Sequence, residues 1–282
     1  MFSFLHLSDI HMPTSETETR HGVSPYQRLE QLIDSIDKLE YPPSFAIITG
    51  DLSNDGTIEG YKLVKRHTER LNEMGMRTML AMGNNDDRES YRRVFQAAPS
   101  REQIYYIEEY RELQIIVLDS LHTGFHGGRF DGEQLDWLSE ELKSDPERPT
   151  IIAFHHPVGK SPHKALDGRL FDESQRDEFY RLVSKCNLLA FLYGHLHHNQ
   201  VTTECGILHI QAGSMQVQLN ISEKEFWLAN VSSYNQVIYR DGMLFVKTIT
   251  MPYDGRVIEK NPIKVLINRL GRVHSGSQER NP

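Results

Sequence analysis

The sequence predicts an α/β fold in which mixed β-sheets form a sandwich flanked by helices. Two patterns indicate it. Short β-type runs alternate with amphipathic helices up to about residue 199, and β-type runs then follow one another directly. The composition agrees, because 38% of the 282 residues are hydrophobic, which is enough for a sizeable core. Disordered, collagen-like and low-complexity architectures are therefore excluded.

The first third of the chain alternates between strands and helices. Leu29, Leu32 and Ile36 recur at helical spacing, and Pro42 stops the helix that they predict. Buried-type runs that end in polar residues predict strands. In this part the predicted strands are 2–7, 45–48 and 77–82, and the predicted helices are 26–40, 58–74 and 87–98.

The remaining elements are predicted by the same two periodicities. The charged segment 108–112 breaks a strand pair, and turns such as Asp241-Gly242 separate the late strands. The predicted strands are 103–107, 113–118, 150–154, 188–193, 200–204, 207–211, 236–239 and 244–251, and the predicted helices are 132–142 and 174–185. We expect one domain at residues 1–255, with a β-rich part from about residue 200. Residues 256–282 are expected to form a C-terminal extension with a flexible end.

Charge and hydropathy exclude several classes of protein. Lys and Arg total 31 against 39 Asp and Glu, a net charge of −8, and no basic stripe suits a nucleic-acid polymer. No apolar stretch approaches the roughly 20 residues that span a bilayer. The first residues lack the features of a secretory leader, and only Cys186 and Cys205 occur. We therefore expect a cytoplasmic protein with no membrane partner.

Polar side chains follow five predicted strands at the point where each strand ends. The carboxyl ends of neighbouring strands meet at one edge of a sheet, so these side chains are expected to converge. They comprise two carboxylates, one amide and four imidazoles, which are ligands for borderline divalent metals. The seven residues are Asp9, His11, Asp51, Asn84, His155, His195 and His197.

Seven ligands exceed what one tetrahedral site needs but suit two metals that share a bridging carboxylate. Such a pair lowers the pKa of a bridging water to near neutrality, and it offsets the charge of phosphoryl oxygens. The residues themselves therefore predict a dinuclear hydrolase of phosphate esters.

The order of these motifs resembles the calcineurin-like metallophosphoesterase superfamily. The motifs are Asp-x-His, Gly-Asp, Gly-Asn-x-Asp, His-His-Pro and Gly-His-x-His. The segments 50–56, 83–88, 118–120 and 127–138 further resemble the bacterial class III cyclic-nucleotide phosphodiesterases. The resemblance covers roughly residues 1–250. It implies a four-layer αββα sandwich of two mixed sheets, and it makes residues 1–255 the metallophosphoesterase domain.

The resemblance also implies an assignment of the metal ligands. Asp9, His11 and His197 would hold one metal, and Asp51 would bridge to the second. Asn84, His155 and His195 would complete the second site, since the first histidine of the His-His pair is the family's ligand. Imidazole and carboxylate ligands accept Mn, Fe, Zn, Co or Ni, of which Mn or Fe is favoured.

One position departs from the family pattern. Where the family has Gly-Asn-His-Asp, with a histidine that contacts the phosphate and is proposed to protonate the leaving oxygen, this chain has Asn85. An amide donates a hydrogen bond to a phosphoryl oxygen but delivers no proton at neutral pH. A general acid typically contributes about 10²–10⁴-fold. Either the enzyme tolerates that loss, or its leaving groups need little help, or another histidine such as His122 or His126 substitutes.

Further site residues are predicted around this centre. Asp51 and Asn85 are expected to serve catalysis, and His156 has a catalytic, hydrogen-bonding or structural role. Asn85, Arg88 and His126 are candidates for substrate contacts, although a solvated ion pair on its helix is the favoured interpretation of Arg88.

The resulting function is a metal-dependent phosphoric diester hydrolase, in which a metal-bridging hydroxide attacks a small phosphodiester. Cyclic nucleotides of the 3′,5′-cyclic AMP type are favoured. Glycerophosphodiesters, 2′,3′-cyclic phosphates and pyrophosphates are alternatives, and a non-catalytic scaffold with the same fold is an alternative of another class. A homodimer is also expected, because relatives commonly form one.

Overall fold

The computed structural model describes residues 1–96, 102–166 and 170–270, and two mixed β-sheets with flanking helices account for most of them. The strands are β1 Phe2–Leu7, β2 Pro43–Thr49, β3 Arg77–Ala81, β4 Tyr106–Tyr110, β5 Leu113–Val117, β6 Thr150–Ala153, β7 Leu188–Tyr193, β8 Gln200–Glu204, β9 Ile207–Gln211, β10 Gln218–Ile221, β11 Glu225–Ala229, β12 Ser233–Arg240, β13 Met243–Thr250 and β14 Val257–Pro262. The helices are α1 Pro25–Ile33, α2 Ile58–Glu73, α3 Arg88–Phe95, α4 Gly132–Ser144, α5 Glu173–Val183 and α6 Ile263–Leu270.

The order of the strands brings together the carboxyl ends of the strands that precede the sequence motifs. The first sheet runs β13-β12-β1-β2-β3, and β1, β2 and β3 are parallel. The second runs β4-β5-β6-β7-β9-β8, and β5, β6, β7 and β9 are parallel. The carboxyl ends of β1, β2, β3, β6 and β7 therefore open onto one region.

Three apolar cores separate four layers. Phe4 and Ile47 of the first sheet pack against Ile115 and Ala153 of the second, which forms the core between the sheets. On the outer face of the first sheet, a core is shared with α1, α2 and α3. On the outer face of the second, a core is shared with α4 and α5. The predicted αββα sandwich is confirmed.

Helix α1 is shorter than predicted. It ends at Ile33, because the Ser35 hydroxyl donates to the Leu32 carbonyl at 2.7 Å and the chain tightens into a 3-10 turn at Ile36–Lys38. Ile36 remains buried in the same core. The apolar spacing therefore continues past the end of the α-helix, which explains the overestimate.

The charged segment 108–112 was wrongly predicted to be a break between strands. Strand β4 extends to Tyr110, and Glu108 and Glu109 form ion pairs with Arg77 and Arg148 at 2.6 Å. Strand β4 is an edge strand, where charged side chains reach solvent and discourage pairing with other chains. Its acidic residues are thus compatible with a strand.

A third, antiparallel sheet was not predicted. It runs β10-β11-β14 and packs with α6 through Leu219, Phe226 and Leu266. Residues 257–270 of the predicted extension are therefore folded, whereas the expected flexible end, 271–282, lies outside the described residues. The boundary at residue 255 stays a prediction. None of the helices in the described ranges has the length and apolar character that crossing a membrane requires.

Candidate metal centre

The loops after five strands place all seven predicted ligands around one point. The described residues that surround it come from both sheets: Asp9 and His11 follow β1, Asp51 follows β2, Asn84 follows β3, His155 follows β6, and His195 and His197 follow β7. The seven side chains are buried or half-buried. The convergence that the sequence predicted is present, and the ligand roles stay predictions.

The first cluster consists of Asp9, His11 and His197. The Nε2 atoms of His11 and His197 are 3.0 Å apart, and His197 Nε2 is 3.3 Å from Asp9 Oδ1. His197 Nδ1 faces the Val217 carbonyl at 3.2 Å. The carbonyl oxygen accepts a hydrogen bond from Nδ1–H, which leaves the Nε2 lone pair directed at the cluster.

The second cluster consists of Asn84, His155 and His195. His155 Nε2 is 3.2 Å from both Asn84 Oδ1 and His195 Nδ1. Its Nδ1 faces the Thr49 carbonyl at 2.7 Å, so its Nε2 lone pair also points into the site. These atoms form a second set of nitrogen and oxygen donors.

Asp51 lies between the two clusters. Its Oδ2 is 3.6 Å from His11 Nε2, and its Oδ1 is 3.5 Å from His155 Nε2. Asn85 orients the carboxylate, because its backbone N–H donates to Oδ1 at 2.8 Å and its amide donates to Oδ2 at 2.6 Å. Each carboxylate oxygen therefore faces one cluster.

The backbone around the site is held in an uncommon conformation. Five of the seven predicted ligands have positive φ: Asp9 (52°), His11 (49°), Asp51 (47°), His195 (73°) and His197 (51°). Left-handed backbone in residues other than glycine is sparsely populated and concentrates at functional sites. The tight turns that aim these side chains inward are the physical reason for it.

The glycines that precede the ligands allow close approach of the loops. A Cβ on Gly83 would lie 2.2 Å from the backbone nitrogen of Asp51. A Cβ on Gly194 would lie 1.7 Å from Ser8 Oγ and 2.5 Å from Asp9 Oδ2. The glycines of the Gly-Asn and Gly-His motifs are therefore required because no side chain fits at these two positions.

The donor set fits divalent cations. Asp9 Oδ1 and His195 Nε2 are buried and have no hydrogen-bond partner among the described residues. Asp9 also groups within 4.8 Å with His11 and His197, and with Asp51 and His155, in geometries that can hold an ion. Buried lone pairs crowded together without donors are stabilised by a cation.

Charge coupling shifts the pKa values in this cluster. Burial opposes the ionisation of Asp9, but His197 and His155 outweigh it and lower the Asp9 pKa to about 2. Burial likewise opposes the charge on His155, whereas Asp51 and Asp9 raise its pKa to about 9. Burial and the neighbouring His155 lower the pKa of His195 to about 3. The carboxylates of Asp9 and Asp51 thus stabilise positive charge between the two clusters.

Asp86 ties the loops after β2 and β3 together. Its carboxylate accepts hydrogen bonds from the backbone of Gly83 at 2.8 Å, Leu52 at 3.1 Å and Ser53 at 3.1 Å, and from the Tyr61 hydroxyl at 2.9 Å. Asp86 therefore positions the two loops that carry Asp51 and Asn84.

We expect Tyr61→Phe to destabilise the fold by about 1–2 kcal/mol, because the hydroxyl also accepts from the Asp87 backbone N–H at 2.7 Å. Urea unfolding measures the change. Tyr91→Phe is the matched control, since its hydroxyl forms no hydrogen bond with the described residues. Equal losses in both variants would contradict a specific role for the Tyr61 hydroxyl.

Arg88 forms a bidentate ion pair with Asp119. Its Nε and Nη2 donate to the two Asp119 oxygens at 2.7 and 3.0 Å, and Nη2 also donates to the Leu121 carbonyl. Asp119 is fully buried, so the pair joins α3 to the loop after β5. Arg88 is therefore not in a solvated pair on its own helix, and its substrate contact stays a prediction.

His156 lies beside the second cluster. Its ring centroid is 4.7 Å from the rings of both His155 and His195, and its Nδ1 is 2.8 Å from Ser120 Oγ. Both residues are fully buried. Sequence reasoning left the role of His156 open and assigned none to Ser120.

The loop after β5 carries the two histidines considered as substitutes for a general acid. His126 is close enough to His195 to influence its charge. The His122 ring stacks on Phe125 with centroids 4.0 Å apart. The predicted roles of both residues stay predictions.

Sequence reasoning missed the side chains that hold the loops. Tyr61, Asp119 and Ser120 act on residues more than 20 positions away, so no local pattern reports their partners. For Asp119 and Ser120 a signal was available, because a polar pair directly follows a buried strand.

The fold and site match known proteins. The calcineurin-like phosphoesterase family profile matches residues 2–199. A cAMP/cGMP dual specificity phosphodiesterase of Mycobacterium tuberculosis is 30% identical over 73% of this chain and 65% of its own length. A probable cyclic nucleotide phosphodiesterase of Rhodococcus erythropolis is 32% identical over 72% and 67%. The alignments thus span about two thirds of these relatives.

A solved structure shares the fold. A dimetal phosphatase from Danio rerio superposes with a TM-score of 0.59 at 14% identity, over 80% of this chain and 95% of that one. The chain belongs to the calcineurin-like phosphoesterase family. This family is one of phosphoesterases that use divalent metals, and the chain carries groups of His and Asp side chains that could hold such ions.

Proposed function

We propose that the protein is a dinuclear-metal-dependent phosphodiesterase that acts on small phosphodiesters, with 3′,5′-cyclic nucleotides favoured. The observation that supports two ions is the position of Asp51, whose two oxygens face two separate donor clusters at 3.6 and 3.5 Å. The relatives named as cyclic nucleotide phosphodiesterases support the substrate class.

Each ion would have its own set of residues. Asp9, His11 and His197 would hold one, and Asn84, His155 and His195 would hold the other, with Asp51 shared. Two divalent ions supply Lewis acidity, which lowers the pKa of water and offsets phosphoryl charge. Mn or Fe is favoured, and Zn, Co and Ni also suit imidazole and carboxylate donors.

The chain's own residues supply orientation around these ions. The carbonyls of Thr49 and Val217 direct the Nε2 atoms of His155 and His197 into the site. The Asn85 amide, half-buried at the site, is a donor for a phosphoryl oxygen as well as for Asp51. Preorganised donors of this kind stabilise the charge that develops in phosphoryl transfer. Cytoplasmic localisation and a homodimer stay predictions.

A metal assay and a substrate panel test this function together. We expect the purified protein to bind two equivalents of Mn²⁺ and to hydrolyse 3′,5′-cyclic AMP with a higher kcat/KM than 2′,3′-cyclic AMP, glycerophosphodiesters or pyrophosphates. Two ions without turnover of any diester would indicate a non-catalytic scaffold. A preference for another member of the panel would show that the proposed substrate is wrong, while the proposed hydrolase activity would stand.

A further inference from the structure

The hydroxyl of Ser120, at the end of β5, contacts three nitrogen atoms of the next motif. The backbone N–H groups of His155 and His156 donate to Ser120 Oγ, each at 3.3 Å. The third contact joins Oγ to Nδ1 of the His156 ring at 2.8 Å. All three residues are fully buried, so water does not compete for these bonds.

Counting donors and acceptors at Oγ fixes the direction of the third bond. A serine hydroxyl has two lone pairs and one proton. The two backbone N–H groups occupy both lone pairs, because a backbone N–H can only donate. The hydroxyl proton is therefore directed at His156 Nδ1, which must accept it through its own lone pair.

The same count determines the tautomer of His156. A ring nitrogen that accepts a hydrogen bond through its lone pair is unprotonated, so the His156 ring is neutral. A neutral ring that accepts at Nδ1 carries its proton on Nε2. Nε2 has no hydrogen-bond partner of normal geometry among the described residues, and the backbone of His126 faces the ring.

Geometry alone would leave His156 as a possible metal ligand. One nitrogen of His156 groups within 4.8 Å with nitrogens of His155 and His195. A ligand nitrogen needs a free lone pair, but Nδ1 shares its lone pair with Ser120 and Nε2 carries the proton. The reverse tautomer would give Oγ three donors for two lone pairs and leave its own proton without an acceptor.

We propose that Ser120 is a positioning residue that presents His155 to the metal site and fixes His156 as an Nε2–H donor rather than a metal ligand. Its backbone contacts hold the turn that carries His155, and its hydroxyl sets the tautomer of His156. Gly128 packs directly against His156, since a Cβ there would lie 2.5 Å from His156 Cβ and 2.7 Å from its Nδ1. The proposal rests on the proposed metal site only for the role of His155.

Nitrogen NMR of the unmodified protein tests the tautomer directly. Protein labelled with ¹⁵N in its histidine rings is recorded without metal and after loading with diamagnetic Zn²⁺, and His156→Gln assigns the signal. We expect a neutral ring protonated at Nε2 in both states. Protonation at Nδ1, or direct coordination of His156 on loading, would overturn the proposal. The metal-free spectrum decides this even if the protein proves to have no phosphodiesterase activity.

Variants test the positioning role through metal content. We expect Ser120→Ala to weaken the affinity for one of two Zn²⁺ equivalents by about tenfold, in the range for groups that orient a metal ligand. Ser120→Thr keeps the hydroxyl and should restore most of that affinity. His156→Gln should retain both equivalents, whereas His155→Gln should lose one. Loss of an equivalent in His156→Gln, or normal affinity in Ser120→Ala, would contradict the proposal.

Discussion

Replacing Asp51 by alanine is expected to abolish turnover and metal retention together. The Asp51 carboxylate faces both donor clusters, so its loss leaves His11 and His155 without the anion that joins them. Lewis-acid stabilisation is worth several kcal/mol, and we expect kcat to fall by at least about a thousandfold. Elemental analysis and steady-state kinetics on cyclic AMP with Mn²⁺ measure the two effects.

Asp55→Ala is the matched control for this variant. Asp55 is an exposed carboxylate in the same loop, and it accepts a hydrogen bond from Thr57 Oγ1 at 3.0 Å. Its removal changes the net charge equally but leaves both clusters intact, so activity and metal content should stay near those of the unmodified protein. If Asp51→Ala kept two ions and near-normal turnover, the bridging role of Asp51 would be wrong.

The position of the site was predictable from sequence because it depends on strand ends. Asp9, Asp51 and Asn84 each follow a short apolar run, and parallel strands turn their carboxyl ends to the same edge. Their spacing to His155 and His195 along the chain carried no distance information. That these histidines lie near Asp9, Asp51 and Asn84 was predicted from the order of the motifs, which resembles that of a known family.

The third sheet was beyond prediction because its pairing is remote. Strand β14 pairs with β11 across an intervening hairpin of the first sheet, and the partners Trp227 and Lys260 are 33 residues apart. Half-exposed strands such as β14 show weak alternation, with Lys260 and Asn261 beside Ile258. Their stability comes from packing with α6, which local periodicity does not report.

The loop-holding contacts were hidden for a different reason. Asp86, Asp119 and Ser120 are polar residues whose burial follows only from tertiary structure. On sequence grounds a polar residue after a strand suits a solvent-exposed turn equally well. Their hydrogen bonds join segments that are distant along the chain, and the donors are mostly backbone N–H groups, which leave no trace in side-chain patterns.

The other large expected effect concerns Asn85, where the family has histidine. In the structure the Asn85 backbone and amide both donate to Asp51. An amide has no proton to transfer, so negative charge should accumulate on the departing oxygen in the transition state. We therefore expect rates on a series of aryl diesters to fall steeply as the pKa of the leaving group rises.

Installing the family residue should reduce that dependence. Asn85→His retains the backbone donor to Asp51, and the half-buried position gives an imidazole access to substrate. We expect it to flatten the plot of rate against leaving-group pKa and to accelerate poor alkoxide leaving groups by about tenfold or more, within the 10²–10⁴-fold range of general acids. Activated nitrophenyl esters should gain little, because their leaving groups depart without a proton.

Three variants show whether proton transfer is the cause. Asn85→Ala removes the amide donor without adding an acid, and it should lower rates by a similar factor for every leaving group. His122→Ala and His126→Ala examine the alternative acids, of which His126 influences the charge of His195. A shallow plot in the unmodified protein that steepens on replacing either histidine would mean that this residue supplies the proton. In that outcome Asn85 still occupies the position of the family's histidine. The departing oxygen would nevertheless be protonated, by His122 or His126.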